Sequence, residues 1–413
     1  MKNLILTASV ATTLLLSSSS IPQHTTFILL PLVQKDTIAP VEKNKANTNY
    51  KPAFAGQTRI CGVKTKTAYD FKVMTNKLKS PWGIAVLSEG KLLITEKEGN
   101  MRIVNAAGNI SEAIAGLPKV DARAQGGLLG LVLDPQFSTN RTVYWAFTEA
   151  GTNGNHTAVA KGTLSKDEKS MQNAKVIYRS THTHRGALHY GGRLVFDKSG
   201  NLLVTIGERS DQSTRVLAQD LKSSLGKIIR ITKDGKPAAN NSFANNKNAL
   251  PEIYSYGHRN PQGIAFHPSN GTLWATEFGP RGGDELNLIR PAKNYGWPVI
   301  TYGIEYSGKQ IGEPTIQAKK GMEQPVYYWD PVLSPSGMTF YSGKGIPEWK
   351  NNLFIAGLSS THIARLVINN NKVVGEERLL SREAERFRDV VEGKNGELYT
   401  VTDAGKLYKI TKK

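Results

Sequence analysis

Residues Gly192–Glu208 read GRLVFDKSGNLLVTIGE: a glycine, an alternating apolar run, a polar turn, and a second apolar run that ends on an acid. Period-two alternation bounded by turn residues is the signature of paired antiparallel strands. The pattern recurs in WGIAVLSEGKLLITE (Trp82–Glu96), LGLVLDPQFSTNRTVYWAF (Leu129–Phe147), QGIAFHPSNGTLWATEFG (Gln262–Gly279), SGMTFYSGKGIPEWKNNLFIAGL (Ser336–Leu358) and RDVVEGKNGELYTVTD (Arg388–Asp403). A further strand-like run follows, clearest in MRIV from Met101, KIIRIT from Lys227, ELNLI from Glu285, IARLVI from Ile363 and KLYKI from Lys406. Six copies with no amphipathic helix between them predict an all-β chain, a six-bladed β-propeller with four-stranded antiparallel blades. A pair of β-sandwiches is also all-β but gives no reason for six similar copies. The copies are unevenly spaced. The excess follows the second strand of the middle blades, where long loops build a binding face.

The chain holds 413 residues, 53 of them Lys or Arg and 34 Asp or Glu, a formal net charge of +19. A field of that sign attracts anions. The basic residues are dispersed, without zinc-finger spacing, RNP-like runs or long basic blocks, so nucleic acid is not expected as a partner. Cys61 is the single cysteine, which rules out an internal disulfide and a cysteine zinc cage. Lys2, the apolar run Leu4–Leu16 and the serines that follow have the form of a secretory signal, and a second apolar patch spans Phe27–Val33. The expected organisation is a signal peptide over 1–20, a low-complexity linker over 21–56 and the propeller over 57–413. The expected location is periplasmic or secreted, with membrane contact only if the amino terminus stays uncleaved.

Five loop segments stand out from the strand pattern. They are RAQGGLLG (Arg123–Gly130), HYGGRL (His189–Leu194) with TIGERSDQ (Thr205–Gln212), SYGHRNPQG (Ser255–Gly263), EFGPRGGDE (Glu277–Glu285) with NYGWP (Asn294–Pro298), and ERFRDV (Glu385–Val390). They set His, Arg, Asn and acidic residues beside Gly and Pro. Glycine lets a backbone come close to a ligand, and histidine is the usual base near neutral pH. Arg386 and Arg388 lie two apart on a strand and project the same way, which suits bidentate binding of carboxylates or phosphates. Taken alone, the two arginines serve equally as ion-pair partners for Glu385 or Asp389, and Asp284 and Glu285 as loop caps. His258 reads as a structural hydrogen-bonder, and His182, His184 and His267 as surface or loop residues.

In this order, from about Lys77 to Ile410, the segments resemble the soluble aldose and glucose dehydrogenases that use pyrroloquinoline quinone (PQQ) and calcium. The resemblance implies oxidation of an aldose to its lactone by hydride transfer to PQQ, with an external quinone, cytochrome or dye reoxidising the cofactor. It implies that His189 is the general base and that Glu208 orients it. It implies that Gln125 contacts cofactor and substrate, and that Arg259 and Asn260 bind the quinone and stabilise its developing charge. The carbonyls of Gly279 and Pro280 would ligate Ca2+, and Arg386 and Arg388 would hold the cofactor carboxylates. Glu285 and Tyr295 match positions that bind a second, structural calcium in related enzymes.

Two positions depart from the family pattern. Ser359–His362 stands where relatives commonly carry a lysine that reaches the cofactor, and Glu208 stands where they have an aspartate. The first departure favours the alternative reading, a PQQ-free propeller that binds carbohydrate or a protein partner without catalysis. A calcium-dependent lactonase or esterase propeller would need several side-chain carboxylates and amides converging on one calcium, a set that the sequence does not offer.

Overall fold

A computed structural model describes residues 38–88, 90–312 and 314–413. The signal-peptide reading over 1–20 and the second apolar patch fall outside the described residues.

Strand β1 (Tyr69–Thr75) precedes the repeats. Blade 1 holds β2 (Pro81–Ser88), β3 (Lys91–Glu96) and β4 (Asn100–Val104). Blade 2 holds β5 (Leu128–Leu133), β6 (Thr142–Gly151), β7 (Gly154–Leu164) and β8 (Met171–Arg179). Blade 3 holds β9 (Leu194–Phe196), β10 (Leu202–Ile206), β11 (Lys227–Ile231) and β12 (Ile253–Tyr256). Blade 4 holds β13 (Pro261–Phe266), β14 (Leu273–Glu277), β15 (Asp284–Ile289) and β16 (Tyr327–Trp329). Blade 5 holds β17 (Pro335–Phe340), β18 (Leu353–Gly357), β19 (Ile363–Asn369) and β20 (Lys372–Leu379). Blade 6 holds β21 (Phe387–Glu392), β22 (Leu398–Thr402) and β23 (Leu407–Lys412), and β1 completes it as a fourth strand, with Tyr69 opposite Lys412. Each sequence copy is therefore the first two strands of a blade. Five sheets have four strands; in blade 1 the fourth is reduced to a single bridge between Val104 and Ile110.

The innermost strands β2, β5, β9, β13, β17 and β21 pack in that order, and β21 meets β2, which closes the ring. Alternate residues of one strand feed two different cores. In β3, Leu93 packs towards blade 2 while Leu92 and Ile94 pack towards blade 6. In β6, Trp145 and Phe147 face blade 1 while Tyr144 and Ala146 face blade 3. Six apolar clusters fill the six gaps between blades. This two-sided burial makes the strand segments almost continuously apolar.

Residues 38–56 do not behave as the free linker expected from their composition. They begin an ordered strap that runs to Thr67 along blades 4 and 5. Gly62 bridges Ile38 on one side and Glu376 of β20 on the other. The buried side chain of Gln57 accepts from the Tyr302 hydroxyl and donates to the Pro325 carbonyl, and the Gln57 carbonyl accepts from the Tyr328 amide of β16.

Candidate active site

In a four-stranded antiparallel blade, the start of the innermost strand and the end of the second strand lie at the same end. The loops at those points from all six blades meet around one cavity of about 720 Å³. Blade 1 contributes Trp82 and Lys97, blade 2 Gln125, blade 3 His189, blade 4 Gln262, Phe278–Gly282 and Asp284, blade 5 Ser334 and Ser359, and blade 6 Arg386, Arg388 and Asp403.

His189 is buried in a turn whose backbone takes positive φ at His189, Gly191 and Gly192. Its amide donates to Gln125 Oε1 at 2.9 Å, so Gln125 holds the turn from the neighbouring blade. Its Nδ1 lies 2.6 Å from Glu208 Oε1. Gly207 is needed beside it, because a Cβ there would overlap the His189 carbonyl and Asn260 Oδ1. Burial, and then the charge of Arg259, lower the His189 pKa to about 4 against the opposing pull of Glu208. The ring is therefore neutral at pH 7. With its Nδ1 proton held by the carboxylate, Nε2 carries the lone pair in a group that lines the cavity. The extra methylene of Glu208 is accommodated, because the carboxylate still reaches the ring.

Arg259 and Asn260 lie beneath this turn. Arg259 Nη1 donates to the carbonyls of Phe278 (3.3 Å) and Gly279 (2.5 Å), and Asn260 Oδ1 accepts from the Gly191 amide at 3.0 Å. Arg259 Nε, Asn260 Nδ2, Glu208 Oε2 and Gln262 Oε1 are buried without a partner. Of these four residues only Gln262 lines the cavity; Arg259, Asn260 and Glu208 lie behind its wall.

Asp284 organises the 279 loop. Its Oδ1 accepts from the Gly279 amide at 2.8 Å, and its Oδ2 from the amides of Leu333 and Ser334 at 2.8 and 2.7 Å. Burial raises its pKa to about 6 in spite of these bonds. The loop-cap reading thus holds for Asp284.

Arg386 and Arg388 reach the cavity together, but neither pairs with Glu385 or Asp389. Both grip Asp403, at 3.0 and 2.8 Å, while Glu385 pairs with Lys406 and Asp389 with Arg193. Burial opposes ionisation of Asp403, but Arg388 and Arg386 hold its pKa below the usual value. Ser359 accepts from Ser334 Oγ at 2.9 Å and from Arg386 at 3.5 Å.

Glu285 and Tyr295 lie outside the cavity. Glu285 is opposite Glu277 in the β14–β15 ladder, and Asn287 Nδ2 donates to both carboxylates. Burial, then the Glu277 charge, push its pKa well above the usual value. The Tyr295 hydroxyl donates to Leu288 O and accepts from the Arg290 amide, and its ring stacks on His258 at 4.6 Å. His258 bridges Ser255 and Glu277, as a structural residue does. No cluster of three or more His, Cys, Asp or Glu suited to a metal occurs among the described residues. His184 has Asp211 within 3.9 Å, an acidic neighbour that the sequence did not suggest.

The sequence profile of the "Glucose / Sorbosone dehydrogenase" family matches residues 78–409. The chain belongs to this family. It is 40% identical over 344 residues to an aldose sugar dehydrogenase of Escherichia coli (strain K12), covering 82% of this chain and 92% of that one. A crystal structure of the soluble aldose sugar dehydrogenase from Escherichia coli in its apo-form is 39% identical, with TM-score 0.80, covering 84% of this chain and all of that one. A PQQ-bound aldose sugar dehydrogenase from Streptomyces coelicolor is 29% identical, with TM-score 0.68, covering 84% and 99%. This family member is thus an oxidoreductase acting on sugars, built on a propeller with its loops gathered at one end.

Two residues that line the cavity, Lys97 and Asp403, and one that braces it from below, Arg193, were missed in the sequence. Lys97 directly follows the first repeat, outside the five loop segments singled out. Asp403 closes the last copy and looked like a turn acid. Arg193 lies within HYGGRL but had no partner in view, because Asp389 is 196 residues away. Its Nη1 lies 2.8 Å from Asp389 Oδ2, its Nε donates to Gln262 O at 2.7 Å and its Nη2 to Arg388 O at 2.9 Å. Its guanidinium also lies 4.1 Å from the centre of the Trp82 ring. This one side chain ties blades 1, 3, 4 and 6 below the cavity.

Proposed function

We propose that the protein is an exported aldose dehydrogenase that depends on PQQ and calcium, with His189 as its general base. The observation that carries the reading is the buried His189–Glu208 pair opening on a cavity that also holds Arg386 and Arg388. The cavity suits an anionic cofactor, with Arg386 and Arg388 for its carboxylates; Arg259 and Asn260, which lie behind the lining, are assigned to the quinone by the family resemblance. When bound, PQQ supplies the two-electron acceptor for the hydride of the sugar carbon. His189 Nε2 takes the proton of the sugar hydroxyl while Glu208 holds the ring and stabilises the charge it gains. Gln125 fixes the position of the histidine turn, and Arg259 places positive charge where negative charge develops. Calcium has oxygen donors in the carbonyls of Gly279 and Pro280. A second calcium at Glu285 and Tyr295, an external quinone, cytochrome or dye as electron acceptor, and a periplasmic or secreted location complete the proposal. The amino-terminal sequence is what supports the last of these.

Dye reduction by the purified protein, with PQQ, calcium and a panel of aldoses, tests the reading. Turnover that requires both additions is the expected result. Absence of both turnover and PQQ binding would overturn this reading and leave the PQQ-free propeller that binds carbohydrate or a protein partner, the reading that Ser359 favours. Arg388→Ala is expected to raise the Kd for PQQ about 10- to 100-fold, the loss of a charge-assisted bond worth about 1.5–3 kcal/mol. Titration of the cofactor absorbance measures it, and an unchanged Kd would remove Arg388 from the binding site.

A further inference from the structure

The strap that opens the described chain reaches the mouth of the cavity. Asn47 lines the cavity beside Arg281, Gly282 and Pro331. Its amide donates to Asp330 Oδ1 at 2.8 Å, and Thr48 donates to Asp330 Oδ2 through both its amide (3.1 Å) and its hydroxyl (3.0 Å). Asn47 Nδ2 donates to the Pro331 carbonyl at 3.1 Å, and Asn47 Oδ1 accepts from Arg281 Nε at 3.2 Å. One side-chain amide therefore joins two cavity loops, the 279–282 loop of blade 4 and the 331–334 loop that leads into blade 5. Further along, Arg59 donates to the carbonyls of Glu42, Asn44 and Asp330, which pins the strap to the same corner. The family match begins at residue 78, after the strap. Relatives that are covered from 98 to 100% of their own length take up only 82 to 84% of this chain.

We propose that the strap is an added wall of the sugar pocket and that Asn47 is a specificity-determining residue, fixing Arg281 and the 331–334 loop at the width that admits an aldose. The inference rests on the sugar-dehydrogenase reading and extends it to a segment outside the family match. Asn47 has capacity left for a sugar hydroxyl: an amide offers two N–H donors and two acceptor lone pairs, and only one of each is used here. The strap meets the cavity at blades 4 and 5, whereas the arginines that suit the cofactor carboxylates come from blade 6; because the 279–282 loop it braces also carries the carbonyls assigned to calcium, PQQ titration is what separates a substrate role from a cofactor role.

The test is steady-state kinetics of the full chain, loaded with PQQ and calcium, on monosaccharide and disaccharide aldoses, with PQQ titration and thermal melting alongside. Asn47→Ala is expected to raise KM for monosaccharides about 3- to 10-fold, the effect of one or two hydrogen bonds, and to narrow the preference for monosaccharides over disaccharides. The fall in kcat is expected to be under about two-fold on the same basis. Asn47→Asp keeps an acceptor for Arg281 and is expected to recover part of the loss. A KM within error of the unmutated protein for every sugar overturns the proposal. So does a KM rise that follows a loss of PQQ affinity, which would make Asn47 a cofactor residue. Absence of turnover in the unmutated protein overturns the dehydrogenase reading itself, and the assignment of Asn47 with it.

Discussion

Replacing His189 by alanine is expected to lower kcat for aldose oxidation by about 10²- to 10⁴-fold, the usual contribution of a well-placed general base. PQQ binding, measured by absorbance titration, should persist, because the residues that suit its carboxylates and carbonyls, Arg386, Arg388, Arg259 and Asn260, are untouched. The pH profile carries a second signature. The folded His189 pKa is lowered to about 4, so the base is already deprotonated at neutral pH. As far as His189 alone sets the profile, kcat/KM should stay level from pH 7 to about 5 and fall as the ring gains a proton near 4. The same shift costs stability on acidification. Between the ordinary histidine value near 6.5 and about 4, the unfolded chain binds a proton that the folded chain refuses, so this group's share of stability falls with pH through that window. A variant that keeps full turnover would exclude His189 as the base.

Arg193→Met is expected to remove about 3–5 kcal/mol of stability, measured by denaturant unfolding at pH 7, because it leaves Asp389 buried without its cation. The carboxylate then keeps only the amides of Ile84 and its neighbour Val390. Asp389→Asn should cost a similar amount by stranding the guanidinium. The double change Arg193→Met, Asp389→Leu should recover much of the loss, since an apolar pair of similar volume is often as stable as a buried ion pair. The single variants should also lose PQQ affinity, because Arg193 holds the carbonyl of Arg388. A single-variant loss under about 1 kcal/mol would mean that water enters the axis and solvates the pair.

The blades were legible because two-sided burial imposes a strong apolar alternation on each pair of inner strands. The histidine turn and the Arg259–Asn260 step stood out because Gly and Pro set them apart from that alternation, and the two arginines because they lie two apart in ERFRDV; the roles assigned to them rest on the family resemblance. What escaped lacks such a signal. Strand β1, YDFKVMT, has half-buried and exposed residues throughout, so little alternation distinguishes it. The strap is held by side-chain bonds to groups about 280 residues away, such as Asn47 and Thr48 to Asp330, and no local period encodes those. Arg193 and Asp389 each look like loop charges until the ring brings them together.

The pairing of Tyr69 with Lys412 has a consequence for how the molecule is made. β1 leaves the ribosome before any blade exists, yet its partner is among the last strands synthesised. Five blades can form their own sheets as they emerge, from contacts short in sequence. The sixth must wait for the two distant strands to meet, a search that pays its loop-closure entropy late. Until then β21–β23 present an uncovered edge, of the kind through which chains aggregate. The strand that covers β23 in the finished blade, and becomes its outer edge, thus leaves β23 uncovered until synthesis is complete.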